Sequence, residues 1–395
     1  MRPLEGIRVA DFTNHAAGPF CTLMLGLLGA EVVRIESNAR LDIQRRPHPV
    51  YGRLNVPKFD YLAGGKKSVT LDLKTPKGCE LAQEIVTCSD VVVENFRPGV
   101  MGRLGLGWND VRKLNPKAIM LSLSTYGQTG PDKDRPGYAP IFAAEGGLGF
   151  MTGYPDGSPG ESRNAMDHQA GMMSALVVVA MLEARDRDGF GGYADVSARE
   201  VASMLVGESI LAALAGAEVS RMGNEHEYWF PHGVYPVAGE DEWIAVAVRT
   251  DAEWTELVRL MGSPFWCTED MKTVEGRRRA ATEIDAALIE WLRYQVGRHI
   301  AAELQAHGIS ADQSMTAKDL LSDEHLRERG AVKVLEHEKH GRRTTVGSPW
   351  KFADGDVDYD TWSPALGQHN NEIFKGLLGH SDAEIEKWTE EGSIR

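Results

Sequence analysis

Cysteine is scarce: Cys21, Cys79, Cys88 and Cys267 are the only four in 395 residues, and no two are spaced as Cys-x-x-Cys. That leaves no framework for disulfides and no thiolate metal site, and it points to a reduced, cytoplasmic protein with buried thiols. Positive charge is also in deficit. The formal net charge is −14, and no basic run exceeds Arg277-Arg278-Arg279, which reads as a solvated helix face. Both features argue against a nucleic-acid surface. Long apolar runs are missing as well. Ala16 to Val33 is apolar but broken by Gly18, Pro19, Gly26 and Gly29, and Asp11 interrupts the first apolar segment, so neither a membrane span nor a signal peptide is expected. There is no GxxxxGK[ST] phosphate loop, no GxSxG and no HExxH, and Gly102, Gly105 and Gly107 do not fit GxGxxG. His337 and His340 stand among Glu336 and Glu338 as a mixed-charge turn, so no metal is expected.

What is present fits an ordinary globular enzyme. Charged residues make up 25% and hydrophobic ones 42%. The length exceeds one ordinary core, so two domains or one large interrupted domain are expected. Ile7 to Phe12 is strand-like, Pro19 can start a helix, Gly29 can end it, and Glu31 to Ile35 resumes extended structure, which makes a βαβ unit. Lys66 to Leu73, Pro76 to Cys88, Val91 to Val93 and Ile119 to Leu123 continue the alternation. The fold class is therefore α/β, a Rossmann-like doubly wound parallel sheet. Tyr126 to Gly160, dense in Gly and Pro, should be an irregular loop over the site, and Gln169 to Ala184 a helix buried on most of its circumference. After Arg221 the texture changes. The large domain is expected over residues 1–205 and 330–395, with a smaller α+β domain inserted at 223–314.

Between two strand signals lies Asn95-Phe96-Arg97-Pro98-Gly99. There Pro fixes φ, Gly permits an unusual turn, and an Arg can fork onto a phosphate. The alternative is a plain strand-to-helix connection with solvated Arg97 and Arg103. His15 follows the first strand, at the sheet end where ligands of doubly wound folds bind. Asp167, before an apolar helix, reads by itself as an N-cap. Its neighbour His168 points about 100° away around the helix and reads as a packing residue.

The run ENFRPGVMGRLGLGW followed by YGQTGP resembles the family III CoA transferases. The likeness extends through Pro3 to Glu36, GKKSVTLDLKTPKG, TGYPDGSP, MDHQAG and the late SPALGQHNNEI. The resemblance implies that Asp167 of MDHQAG is a nucleophilic carboxylate moving CoA from an acyl-CoA thioester to a free carboxylic acid. It implies CoA contacts at Leu71, Lys74, Asn95, Phe96, Arg103 and Tyr138, with His15 beside them. No tightly bound cofactor is implied, coenzyme A and acyl-CoA being substrates. It also implies an interlocked homodimer threaded through linkers near Ala202 to Arg221 and Ala317 to Val334. Where formyl-CoA transferases carry Gln, this chain has Ala16, which places oxalate as acceptor in question. Two other readings stand beside the transferase. An acyl-CoA racemase of the α-methylacyl-CoA type would need an imidazole where Gly137-Tyr138-Ala139 stands. A catalytically silent CoA-binding subunit would not need Asp167.

Overall fold

The computed structural model describes residues 2–46, 57–161, 165–337, 341–355 and 357–395. Two compact units emerge. One comprises Met1–Phe150, Glu161–Ala217 and Glu324–Arg395; the other comprises Met151–Gly160 and Glu218–Asp323.

The first unit is built on six strands: β1 (Arg8–Asp11), β2 (Glu31–Glu36), β3 (Lys67–Thr70), β4 (Val91–Glu94), β5 (Ile119–Ser124) and β6 (Tyr193–Ser197). All pairings are parallel, in the order β3-β2-β1-β4-β5-β6. Val91, Val92 and Val93 are wholly buried because helices cover both faces. Helix α1 (Ala17–Leu27) follows β1, and α2 (Pro57–Leu62) precedes β3. Helix α3 (Pro76–Thr87) starts as its sequence requires, with Thr75 accepting the Gly78 N–H at the cap and Pro76 in the first turn.

The short helices α4 (Val100–Arg103) and α5 (Trp108–Leu114) lead to β5. Segment 126–160 is not wholly irregular, since it forms α6 (Ala139–Glu145) and α7 (Leu148–Met151). Pro140 belongs to the first turn of α6, where its missing N–H costs nothing. Helix α8 (Ala165–Asp188) is followed, after β6, by α9 (Ala198–Leu205) and α10 (Gly207–Leu214). Against expectation, α8 is buried along one stripe only. Gly171, Ser174, Ala175, Val178 and Leu182 face the core, while Met172 is 46% and Leu176 63% exposed. Its length and composition alone would allow a membrane crossing, but its buried stripe packs on α1.

The second unit has an antiparallel sheet of β7 (His232–Pro236), β8 (Trp243–Ala247) and β9 (Ser310–Gln313). Helices α11 (Asp251–Leu260), α12 (Val274–Arg279), α13 (Ala281–Leu292) and α14 (Gly297–Ala306) complete it. Its core gathers Ile244, Val246, Trp254, Leu257, Leu288 and Leu304. Arg277 is not solvated as its run suggested. At 1% exposure it donates to the carbonyls of Phe230, Met271 and Lys272 and to Asp251. The thiols also differ from expectation, for Cys21 is buried but Cys88 is exposed and Cys79 and Cys267 are half-buried.

The chain ends in the first unit with the hairpin β10 (Val332–His337) and β11 (Gly341–Val346); His340 lies outside the described residues. The late motif SPALGQHNNEI then finishes the sheet. Ser68 donates its N–H to His369 Nδ1 at 3.1 Å, Thr70 its N–H to Asn370 Oδ1 at 2.9 Å, and the His369 N–H returns to the Ser68 carbonyl at 2.9 Å. The outer edge of β3 is thereby covered by residues 300 positions later in the chain.

Candidate functional site

In this strand order the chain leaves β1 and β4, which are neighbours, toward opposite faces, and a crevice opens beyond their carboxyl ends. The loop after β1 is held from two sides. Asn95, just past β4, accepts the Asn14 N–H on Oδ1 and donates from Nδ2 to the Asn14 carbonyl, both at 2.9 Å. Asp42 Oδ2 accepts the His15 N–H at 3.0 Å and the Arg34 guanidinium at 2.6 Å, with both side chains buried. Between these clamps His15 adopts φ +65°, a conformation that a residue with a Cβ keeps only under constraint.

Beneath the start of α1, Lys66 donates to the Pro19 carbonyl at 2.9 Å and to Thr22 at 2.6 Å, and pairs with Asp11 at 3.1 Å. Burial pushes Lys66 down to about 8. Burial pushes the Asp11 carboxyl up, but Lys66, Arg34 and the hydroxyls of Thr13 and Thr22 outweigh it and hold it below the ordinary range.

The crevice is a cavity of about 260 Å³ whose wall includes His15, Asn95, Phe96, Tyr138 and Asp167. Asp167 lies within the first turn of α8 rather than at a cap. Burial raises its pKa, while Lys58, His168 and His15 pull in the opposite direction without cancelling the rise. The His168 ring packs edge-on against Phe20, with centroids 4.4 Å apart. The α8 stripe meets α1 so closely that a Cβ on Gly171 would lie 2.6 Å from the Ala17 carbonyl oxygen. Asp167 lies one turn earlier on the same helix and shares the cavity wall with Ala16 and Ala17 at the start of α1.

The remaining expected contacts fall elsewhere. Leu71 is fully buried in the core and offers no surface to a ligand, because the alternation of the β3 segment turns it inward. Lys74 is exposed in the loop after β3, its N–H donated to Asp72 Oδ1 at 3.0 Å. Arg103 is exposed at the end of α4, its guanidinium folded toward Gly99. Neither belongs to the cavity wall. Asn95 does belong to it, but its amide is already engaged with Asn14 on both atoms.

Reading the sequence missed most of the cations. Arg40, Lys133 and Arg135 join Arg97 around the cavity. They come from separate loops and, in Asp132-Lys133-Asp134-Arg135, alternate with acids, so no basic cluster showed. A wall with one burial-perturbed carboxyl and four cations suits an anionic ligand presented to a nucleophile. Among the described residues no group of three His, Cys, Asp or Glu side chains is placed to hold a metal ion.

Residues 4–370 match the sequence pattern of CoA-transferase family III. Succinyl-CoA–D-citramalate CoA-transferase of Chloroflexus aurantiacus is 34% identical over 392 residues, covering 97% of this chain and 96% of that protein. Formyl-CoA:oxalate CoA-transferase of Streptomyces avermitilis is 31% identical over 411 residues, covering 100% of both. A crystal structure of a CaiB/BaiF family protein from Brucella suis aligns with TM-score 0.87 at 28% identity, over 95% of this chain and 99% of that one.

Proposed function

Because the chain belongs to CoA-transferase family III, we propose that Asp167 carries CoA from an acyl-CoA thioester to a free carboxylic acid by covalent catalysis. The supporting observation is a carboxyl whose pKa burial raises, lining one cavity with four cations. Ionised Asp167 attacks the thioester carbonyl; the C–S bond breaks, giving an acyl-aspartyl anhydride and CoA thiolate. That thiolate attacks the aspartyl carbonyl and expels the donor acid as its carboxylate, leaving an aspartyl-CoA thioester. The acceptor carboxylate then runs both steps in reverse and departs as the new acyl-CoA, restoring Asp167. One thioester replaces another, so no ATP is consumed. A thiol pKa of about 8.5 makes the thiolate an adequate leaving group and a strong nucleophile on return.

Arg40, Arg97, Lys133 and Arg135 suit the phosphates of CoA, with Lys74 and Arg103 further out and Phe96 and Tyr138 offering apolar faces. The acids named for the relatives, D-citramalate and oxalate, are short and carry a second oxygen function. Acids of that class are the first acceptors to test. We also read the protein as a cytoplasmic, interlocked homodimer whose large and small domains correspond to the two units. Exposed apolar side chains on α8 (Met172 and Leu176) and, separately, on α10 (Ile210, Leu211 and Leu214) support a second copy.

Incubation with acyl-CoA followed by hydroxylamine should place the modification on Asp167 by peptide mass spectrometry, and Asp167→Asn should lose transfer by several orders of magnitude. Substantial transfer by Asp167→Ala refutes the nucleophile. Exchange of the α-proton with solvent in the absence of any acid exchange would support the racemase reading instead.

A further inference from the structure

Beside the cavity, three adjacent strands carry a row of polar side chains that the transfer chemistry does not use. Glu94 of β4 is in register with Ser122 of β5, and Ser122 with Asp195 of β6, so all three leave the same face of the sheet. Glu94 is 3% exposed and hydrogen-bonds the Ser122 hydroxyl. Each acid holds a turn: Glu94 Oε2 accepts the Phe96 N–H at 2.7 Å, and Asp195 Oδ2 accepts the Gln128 N–H at 2.7 Å. The turn that Glu94 holds contains Phe96, Arg97 and Pro98 of the cavity wall.

We propose that Glu94 is a positioning residue for acyl-CoA, fixing the Phe96–Arg97 turn from below and carrying a proton when the polyanionic nucleotide is seated. This rests on the CoA-binding reading above.

The groups facing Glu94 explain the coupling. Ser122 on β5 donates to it or accepts from it; Asp195 on β6 repels its charge; Tyr193 on the same face of β6 is pushed up by burial, with both acids adding to it against a Ser122 hydrogen bond, and stacks on Trp108 of α5 at 5.9 Å. The covering core contributes apolar Met101, Leu106 and Val111. Burial, with Asp195 adding to it, raises Glu94 to about 7 even though Ser122 and the Phe96 N–H stabilise its charged form. A neutral Glu94 leaves the turn free of negative charge, whereas an ionised one doubles the acid charge of the row beside an anionic ligand. Binding and protonation therefore favour each other, and the linkage is reciprocal.

The test is the pH dependence of the acyl-CoA KM from pH 6 to 8.5 in the wild-type enzyme and in Glu94→Gln, which keeps an acceptor for the Phe96 N–H but does not titrate. In the wild type KM should rise about tenfold more than in the variant, a size usual for linked sites. Titration of the CoA phosphates is common to both proteins and cancels. Asp195→Asn should shift the wild-type rise to lower pH, because removing the like charge lowers the Glu94 pKa. Calorimetry of free CoA binding at pH 7.5, in buffers of different ionisation enthalpy, should show greater proton uptake by the wild type than by Glu94→Gln. Equal KM profiles, or equal uptake, overturn the proposal for Glu94. Failure of the wild type to bind CoA at any pH instead overturns the CoA-binding reading itself. If Glu94→Gln does not fold, an Asp195→Asn profile that coincides with the wild type overturns the proposal.

Discussion

Replacing Gly171 by Ala should damage catalysis far more than stability. The added Cβ would lie 2.6 Å from the Ala17 carbonyl oxygen and 3.1 Å from both the Cys21 nitrogen and the Phe20 Cβ. The first of these is backbone, so no side chain can swing aside. Ordinary contact is about 3.5 Å, so α8 and α1 must part by somewhat under ~1 Å. Overpacking of this kind costs about 1–3 kcal/mol, and the better helix propensity of Ala returns about 1 kcal/mol. Net destabilisation is then about 0–2 kcal/mol. The same displacement acts on Asp167 one turn away and on the α1 start that faces it, and a misplacement near 1 Å costs about 10²-fold in rate. Steady-state transfer between an acyl-CoA and an acid should fall by that order, while calorimetry shows only a few degrees lost. Gly376→Ala, where nothing lies within 4 Å of the new Cβ, serves as the control and should leave the rate intact. A Gly171→Ala enzyme with wild-type kcat would show that Asp167 does not depend on this helix contact.

Arg277→Met should lower the stability of the second unit by about 2–4 kcal/mol, since it strands the buried Met271 carbonyl and removes the partly buried bonds to the Phe230 and Lys272 carbonyls; hydrogen exchange faster in α11 and α12 checks this, and unchanged protection there refutes it. Glu94 also bears on stability. Its folded pKa of about 7 lies above the ordinary 4.5, so its contribution is full below pH 4.5 and is lost as pH rises through about 7. The melting temperature of the wild type should therefore fall relative to Glu94→Gln between pH 5 and 8, by up to about 3 kcal/mol in free energy; parallel curves would refute it.

Elements whose signal is local were legible in the sequence. Apolar β-branched runs marked β4 and β5, Pro76 marked the start of α3, and Gly29, at φ +103°, the end of α1. Strands defined by their partners were not. Tyr193-Ala194-Asp195-Val196-Ser197 is half polar, and Gly341-Arg342-Arg343-Thr344-Thr345-Val346 is charged and exposed, so neither alternates as a half-buried strand should. Arg277 was misread because its neighbours in sequence are solvated, while its own partners come from Phe230 and Asp251. Asp167 emerged from resemblance alone. Nothing in its local pattern separates the proposed nucleophile from a cap, and the cations that share its cavity are assembled from segments nearly 100 residues apart, from Arg40 to Arg135.

The cover on β3 has a consequence for how the protein is made. All six strands of the large sheet have left the ribosome once Ser197 has emerged, yet the partners of Ser68 and Thr70 are His369 and Asn370. Throughout the interval in which the second unit is synthesised, the nascent sheet carries an open parallel edge able to recruit another strand. A stalled or prematurely terminated chain lacking the last thirty or so residues would keep that edge indefinitely. Such fragments should appear in inclusion bodies or bound to holding chaperones, and an early stop codon near position 360 should be more harmful to solubility than many substitutions at the cavity.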